Sequence, residues 1–246
     1  MKRIVIIGAT SGIAEACARL WVKDPIDLVL VGRNINKLET IAQDLRVRSP
    51  QSVIQTIVSD FANPTKIQST IEGIWDGGAI DTALIAHGSL PDQQDCQGDL
   101  SLCKDTLEVN GISPVLFAEA LVNKMHGANH GTLGIIGSVA GDRGRKSNYV
   151  YGAAKGLVAR YAQGLQHRLA KTNVRVVLIK PGPTDTPMTT AYKARGLKMT
   201  SPSIVAQCIV EGIGKGKAEI YAPGKWKIIM LAIIHIPGFI FNTLEI

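Results

Sequence analysis

A chain of 246 residues with 46% apolar composition is long enough to bury a sizeable core. Its formal net charge of +7 fits an anionic partner (a nucleotide, a phosphorylated substrate, an acidic lipid surface or nucleic acid) or a merely solubilising surface. Cys17, Cys96, Cys103 and Cys208 have no metal-binding spacing and are too few for a disulfide framework, which implies a reducing, cytoplasmic compartment. No aromatic residues interleave with the basic ones, so nucleic-acid binding has no support beyond net charge.

Along the chain, short apolar runs predict strands at 4–7, 28–31, 53–58, 82–86, 132–136 and 174–179, with a weaker one at 219–221. Between them, helical spacing predicts helices over 13–23, 37–47, 66–74, 104–125, 150–171 and 204–214. Strands without polar alternation are buried on both faces, which requires a parallel sheet with helices on each side. The expected fold is therefore α/β, a single doubly wound Rossmann domain over residues 1–222, followed by an apolar tail over 223–246. Met1-Lys2-Arg3 and the apolar run after it imitate a signal peptide, but the run is short and leads into a Gly-rich turn, as a first strand does.

That turn is Gly8-Ala9-Thr10-Ser11-Gly12-Ile13-Ala14. Its glycines permit close approach of backbone to a pyrophosphate, at which the following helix directs its unpaired N–H groups. The second strand ends in Val31-Gly32-Arg33. An acidic residue there would bond ribose hydroxyls, whereas the Arg33 guanidinium suits a 2′-phosphate and favours NADP(H) over NAD. Asp60, after the third strand, stands where an adenine amino group can be accepted.

Farther on, Tyr151 and Lys155 lie one helical turn apart, with Ser138 upstream at the end of an apolar run. At i and i+4 the phenol and ammonium share a helix face, and a nearby cation makes a phenol a better acid near neutral pH. A serine hydroxyl beside them would hold a carbonyl oxygen in place. The same spacing at Tyr221 and Lys225 spans Pro223, so no helix aligns it. His126 and His130 have a metal-like spacing, but Gly127 argues against a helix and no third ligand accompanies them, so no metal is expected.

These residues, in this order, resemble the short-chain dehydrogenase/reductase family over nearly the whole chain. The resemblance implies an NADP-dependent oxidoreductase acting on CH–OH and C=O groups, assembled as a homo-oligomer. It assigns the cofactor loop to Gly8, Thr10, Ser11, Gly12 and Ile13, the NADP-selecting position to Arg33 and the adenine contact to Asp60. Ser138, Tyr151 and Lys155 correspond to the catalytic set, and Asn110 to a helix Asn anchoring a water that leads to the lysine. Pro181, Gly182, Thr184 and Thr186 correspond to the segment holding the nicotinamide carboxamide. Three departures stand out: Ala14 replaces the third loop glycine, Ile85-Ala86-His87-Gly88 replaces Asn-Asn-Ala-Gly, and Thr184 replaces an aliphatic residue. The second of these puts His87 in line for the cofactor cleft, beside Ala86 and Gly88.

For the substrate, Arg143, Arg145 and Lys146 form one basic cluster between Ser138 and Tyr151, and Lys193, Arg195 and Lys198 form another within a lid over about 184–200. Two cationic clusters beside one cleft suit a phosphorylated ligand; ordinary solvated loops are the alternative. The segment 141–152 and the tail resemble the branch of the family that reduces a polyprenylphosphoryl 2-keto-pentose to the arabinose form. A 3-oxoacyl thioester, steroid or retinoid is the alternative ketone, and a nonenzymatic NADP-binding scaffold the alternative role. The tail is too short for a bilayer span and is broken by Pro237, leaving peripheral contact with the cytoplasmic membrane or a subunit interface.

Overall fold

A computed structural model describes residues 1–194 and 196–245. Among these described residues, seven strands and eleven α-helices follow in the order β1 (Lys2–Ile7), α1 (Gly12–Trp21), β2 (Ile26–Gly32), α2 (Ile35–Arg48), β3 (Val53–Val58), α3 (Pro64–Asp76), β4 (Thr82–Ile85), α4 (Gln93–Gly98), α5 (Leu100–Leu107), α6 (Ser113–Ala128), β5 (Thr132–Ile136), α7 (Tyr149–Leu169), β6 (Arg175–Pro181), α8 (Thr190–Ala194), α9 (Pro202–Gly214), β7 (Glu219–Ala222), α10 (Lys225–His235) and α11 (Gly238–Phe241). Local signals set several of the ends. Asn34 and Asn63 cap α2 and α3 through Lys37 N–H and Lys66 N–H, Ser201 caps α9, and Pro64 and Pro202 stand in the first turns of α3 and α9, where an N–H is dispensable.

The strands form one parallel sheet in the order β3-β2-β1-β4-β5-β6-β7. Alternate residues of β1 feed different cores: Val5 and Ile7 join Ile71, Phe117, Leu121 and Val158, whereas Ile4 and Ile6 join Cys17, Leu38, Val205 and Ile209. Helices α3, α6 and α7 therefore cover one face and α1, α2 and α9 the other. The order reverses between β1 and β4, and in such sheets the crevice beyond the strand carboxyl ends at that point receives the ligand.

Two differences from the expected elements bear on the site. The helix expected over 104–125 is divided by a π-turn at Glu108–Ile112, in which Ser113 N–H reaches Glu108 C=O. Pro114 is the cause: it lacks the N–H that an α-helix would return to the carbonyl of Asn110. At the far end α6 continues through Gly127 to Ala128 and stops at Asn129, whose φ of 49° is left-handed. His130 thus lies outside the helix and pairs with Asp81 at 2.8 Å.

Candidate active site

Two connected cavities open at the carboxyl edge of β1 and β4. One, of about 260 Å³, is lined by Gly8, Thr10, Ser11, Gly12, Arg33, Asn34 and Lys37; the other, of about 540 Å³, is lined by Ser138, Tyr151, Lys155, Pro181, Gly182 and Thr184. Ser11, His87, Gly88 and Thr186 belong to both, so they form one continuous cleft; Ile13 and Ala86 line the larger part.

In the smaller cavity Gly8 has a φ of +83°, and a Cβ there would lie 2.6 Å from the backbone nitrogen of His87. Only glycine permits this approach of the two loops. The Ser11 side chain makes no capping bond to α1, which leaves the first-turn N–H groups directed at whatever fills the cavity. With Arg33 and Lys37 at the rim, this donor set fits a dinucleotide carrying an extra phosphate. Asp60 does not line either cavity; its Oδ1 accepts from Ala62 N–H at 2.9 Å.

His87 is held in an aromatic cluster with Phe61 and Phe117, and its Nε2 lies 2.9 Å from Ser113 Oγ. Burial lowers its pKa to about 3, so the ring is neutral at physiological pH. Its Nδ1 is buried without a partner.

The larger cavity depends on two close approaches. A Cβ on Gly141 would meet the backbone of Lys155 at 2.7 Å, and one on Gly152 would meet Ala140 C=O at 2.9 Å. These glycines let the turn after β5 lie directly on α7, bringing Ser138 to the same wall as Tyr151. Ser138 Oγ accepts from Ala140 N–H at 3.1 Å. Lys155 is 3% exposed, its Nζ donates to Ile136 C=O at 3.0 Å and lies 5.8 Å from the centre of the Tyr151 ring. Burial lowers the Lys155 pKa to about 8. Asn110 sits in the π-turn, fully buried; its Oδ1 accepts from Ser89 N–H at 2.9 Å and its amide donates to Thr106 C=O at 2.9 Å. Gly88 is the neighbour that makes room, since a Cβ there would lie 2.7 Å from Asn110 Oδ1.

The basic residues divide. Arg145 lines the larger cavity. Arg143, expected over the substrate, turns to the tail: its Nη1 donates to the carbonyls of Ile233 (2.6 Å), Ile234 (3.0 Å) and Ile236 (2.6 Å), and its guanidinium stacks 3.7 Å from the centre of the Phe241 ring. It caps the carboxyl end of α10, where free carbonyls attract a cation. Lys146 pairs with Glu245 and Lys193 with Asp185, each at 2.5 Å. Arg195 lies outside the described residues. Helix α10 also presses Trp226 against Gly182, where any Cβ would overlap the indole.

Sequence reasoning missed several lining residues: Lys37, Leu90, Asn148, Met188, Leu197, Met199 and Glu245. Lys37 had a signal, being a second cation in the first turn of the helix after Arg33. Glu245 had none, since only the return of the tail brings it to the cavity.

A family model described as short chain dehydrogenase matches residues 2–196. The chain belongs to the short-chain dehydrogenase family. Among its relatives are an uncharacterised oxidoreductase of Streptomyces coelicolor, 28% identical over 100% of this chain and 96% of the relative, and one of Staphylococcus aureus, 30% identical over 88% and 92%. This short-chain dehydrogenase also shares its fold with solved structures. A short-chain dehydrogenase from Sphingobium yanoikuyae in complex with NADPH superposes with a TM-score of 0.84 at 20% identity, covering 100% of this chain and 97% of that one. An actinorhodin polyketide ketoreductase with NADPH gives 0.80 at 20% identity, covering 89% and 95%. Among the described residues no helix is long and apolar enough to cross a membrane.

Proposed function

We propose that this short-chain dehydrogenase is an NADPH-dependent carbonyl reductase whose substrate is a polyprenylphosphoryl 2-keto-pentose. The observation that carries the reading is the convergence of Ser138, Tyr151 and Lys155 on one cavity, continuous with a Gly-rich cleft that has Arg33 and Lys37 at its rim. When bound in the Gly-rich cleft, NADPH would supply the hydride for the ketone carbon. Tyr151 gives its phenolic proton to the carbonyl oxygen as that oxygen gains charge. Ser138 uses its Oγ lone pair on Ala140 N–H, which leaves its hydrogen to donate to the same oxygen. Lys155 stays an ammonium below about pH 8, and its positive field stabilises the phenolate that forms. Asn110, tied to Ser89 and Thr106, holds the π-turn that anchors a water relay to Lys155.

Three features favour a lipid-linked substrate. The cavity wall includes Leu90, Met188, Leu197 and Met199, which offer apolar surface beyond the reacting carbonyl. The tail exposes Ile228 (74%), Leu231 (60%) and Phe239 (78%), and between Glu219 and Glu245 it carries lysines but no carboxylate side chain, as an anionic membrane surface requires. The resemblance over 141–152 points the same way.

The test is NADPH oxidation with detergent-dispersed polyprenylphosphoryl 2-keto-pentose beside neutral ketones, a 3-oxoacyl thioester among them. Turnover on the lipid-linked sugar with kcat/KM at least ~100-fold above the others is the expected result. A preference for a neutral ketone would replace the substrate, and oxidation with none of them would replace the activity.

A further inference from the structure

We propose that Arg145 is the residue that reads an anionic group on the substrate, a phosphate ester or diester, at the outer wall of the larger cavity. This deepens the reductase reading and rests on it for the identity of the cavity. Of the five described basic residues expected near the substrate, Lys198 is exposed to solvent and three are already matched: Arg143 by the carbonyls closing α10, Lys146 by Glu245 and Lys193 by Asp185. Arg145 has no carboxylate within 4 Å among the described residues; its Nη2 instead meets Met230 Sδ at 3.2 Å. Its Nε is buried without a partner.

A guanidinium half withdrawn from water with a thioether as its neighbour is an unbalanced cation, and an unpaired charge in such a place is costly. Burial in fact depresses its pKa below the usual arginine range, against the weaker pull of Asp142. An arriving phosphate removes that cost, because its oxygens match the planar fork of N–H donors. Asn148 lines the same wall, and its Oδ1 is also buried without a partner. A half-turn of that amide presents its NH2 group to the same oxygens.

The phosphates of NADPH are not the anion in question. Arg33 and Lys37 line the smaller cavity, and Arg145 does not. The thioether shelf comes from α10, which is buried only at Met230, so the apolar tail also builds this wall. A lipid-linked phosphate and a free sugar phosphate offer the same chemistry to Arg145.

Calorimetric titration of the NADP⁺-loaded protein with farnesyl phosphate and with inorganic phosphate separates these sources. Wild type is expected to bind farnesyl phosphate, and Arg145→Gln to bind it ~10- to 100-fold more weakly, with Arg145→Lys between the two. NADPH affinity should stay within about twofold in both variants, which controls for misfolding. Farnesyl phosphate binding well above inorganic phosphate identifies the lipid-linked source, and equal binding the free sugar phosphate. In turnover, Arg145→Gln should raise KM for a phosphorylated ketone while leaving kcat/KM for a neutral ketone near wild type. No binding of either probe to wild type, equal binding to Arg145→Gln, or equal losses on charged and neutral ketones would overturn the proposal. Failure of the reductase reading looks different: NADPH would not be oxidised with any ketone, while the binding titration would still report on Arg145.

Discussion

Replacing Lys155 with Met should stabilise the protein while removing its activity. The ammonium is 3% exposed, and burial brings its pKa from the ordinary 10.5 to about 8. Holding the charge in the folded state at neutral pH therefore costs about 3 kcal/mol. Met keeps the stem and drops the charge, but it leaves Ile136 C=O without the 3.0 Å bond from Nζ, which offsets about 1 kcal/mol. The net gain of about 2 kcal/mol corresponds to a rise in Tm of roughly 4–8 °C for a chain of this length. The dependence on pH has a definite sign. Below pH 8 the lysine is charged in both folded and unfolded states, and wild type bears the full cost. Between 8 and 10.5 the folded protein has lost the proton while the unfolded chain keeps it, so wild-type stability rises with pH. Above 10.5 the lysine is neutral in both states and the cost is gone. Thermal unfolding of cofactor-free wild type and Lys155→Met at a series of pH values reads this directly. A variant no more stable than wild type at pH 7, or a gap that does not shrink between pH 8 and 10.5, would refute the reasoning.

Three further outcomes follow from the same geometry. Arg33→Ser should lower kcat/KM with NADPH by ~10- to 100-fold and leave that with NADH within a few-fold, measured with either coenzyme varied at fixed ketone. The rate of ketone reduction should fall as pH rises through about 8, where Lys155 loses its proton; a pH profile of kcat/KM flat from 7 to 9.5 would deny it that role. Arg143→Ala removes the donor to three carbonyls at the end of α10 together with the stack on Phe241, and should speed amide exchange over 225–241 by ~10-fold or more while the sheet stays protected.

Much of this architecture is legible in the sequence because a buried parallel strand needs an unbroken apolar run. Val53–Val58 and Thr132–Ile136 appear at the expected bounds, and the other strands differ by one or two residues at their ends. Residues that meet across short distances in sequence, such as Tyr151 and Lys155, are equally readable. The π-turn at 108–112 was missed because apolar periodicity continues through it, although Pro114 marks the lost N–H. The short helix α4 is too brief to show a period, and Gln93, buried within it, donates nothing to a pattern; its Oε1 accepts from Val150 N–H at the start of α7. The basic loop shows the deeper limit. Charge alone places Arg143, Arg145 and Lys146 together near the cleft, but which of them faces it depends on where Phe241, Met230 and Glu245 return, and that is a property of the folded tail.

The central claim is that the Tyr151 phenol delivers the proton in ketone reduction, and Tyr151→Phe tests it most directly. NADPH affinity, followed by fluorescence, should stay within about twofold of wild type, while NADPH oxidation in the presence of ketone falls by ~100-fold or more. A Phe variant that still turns over at a tenth of the wild-type rate would contradict the account.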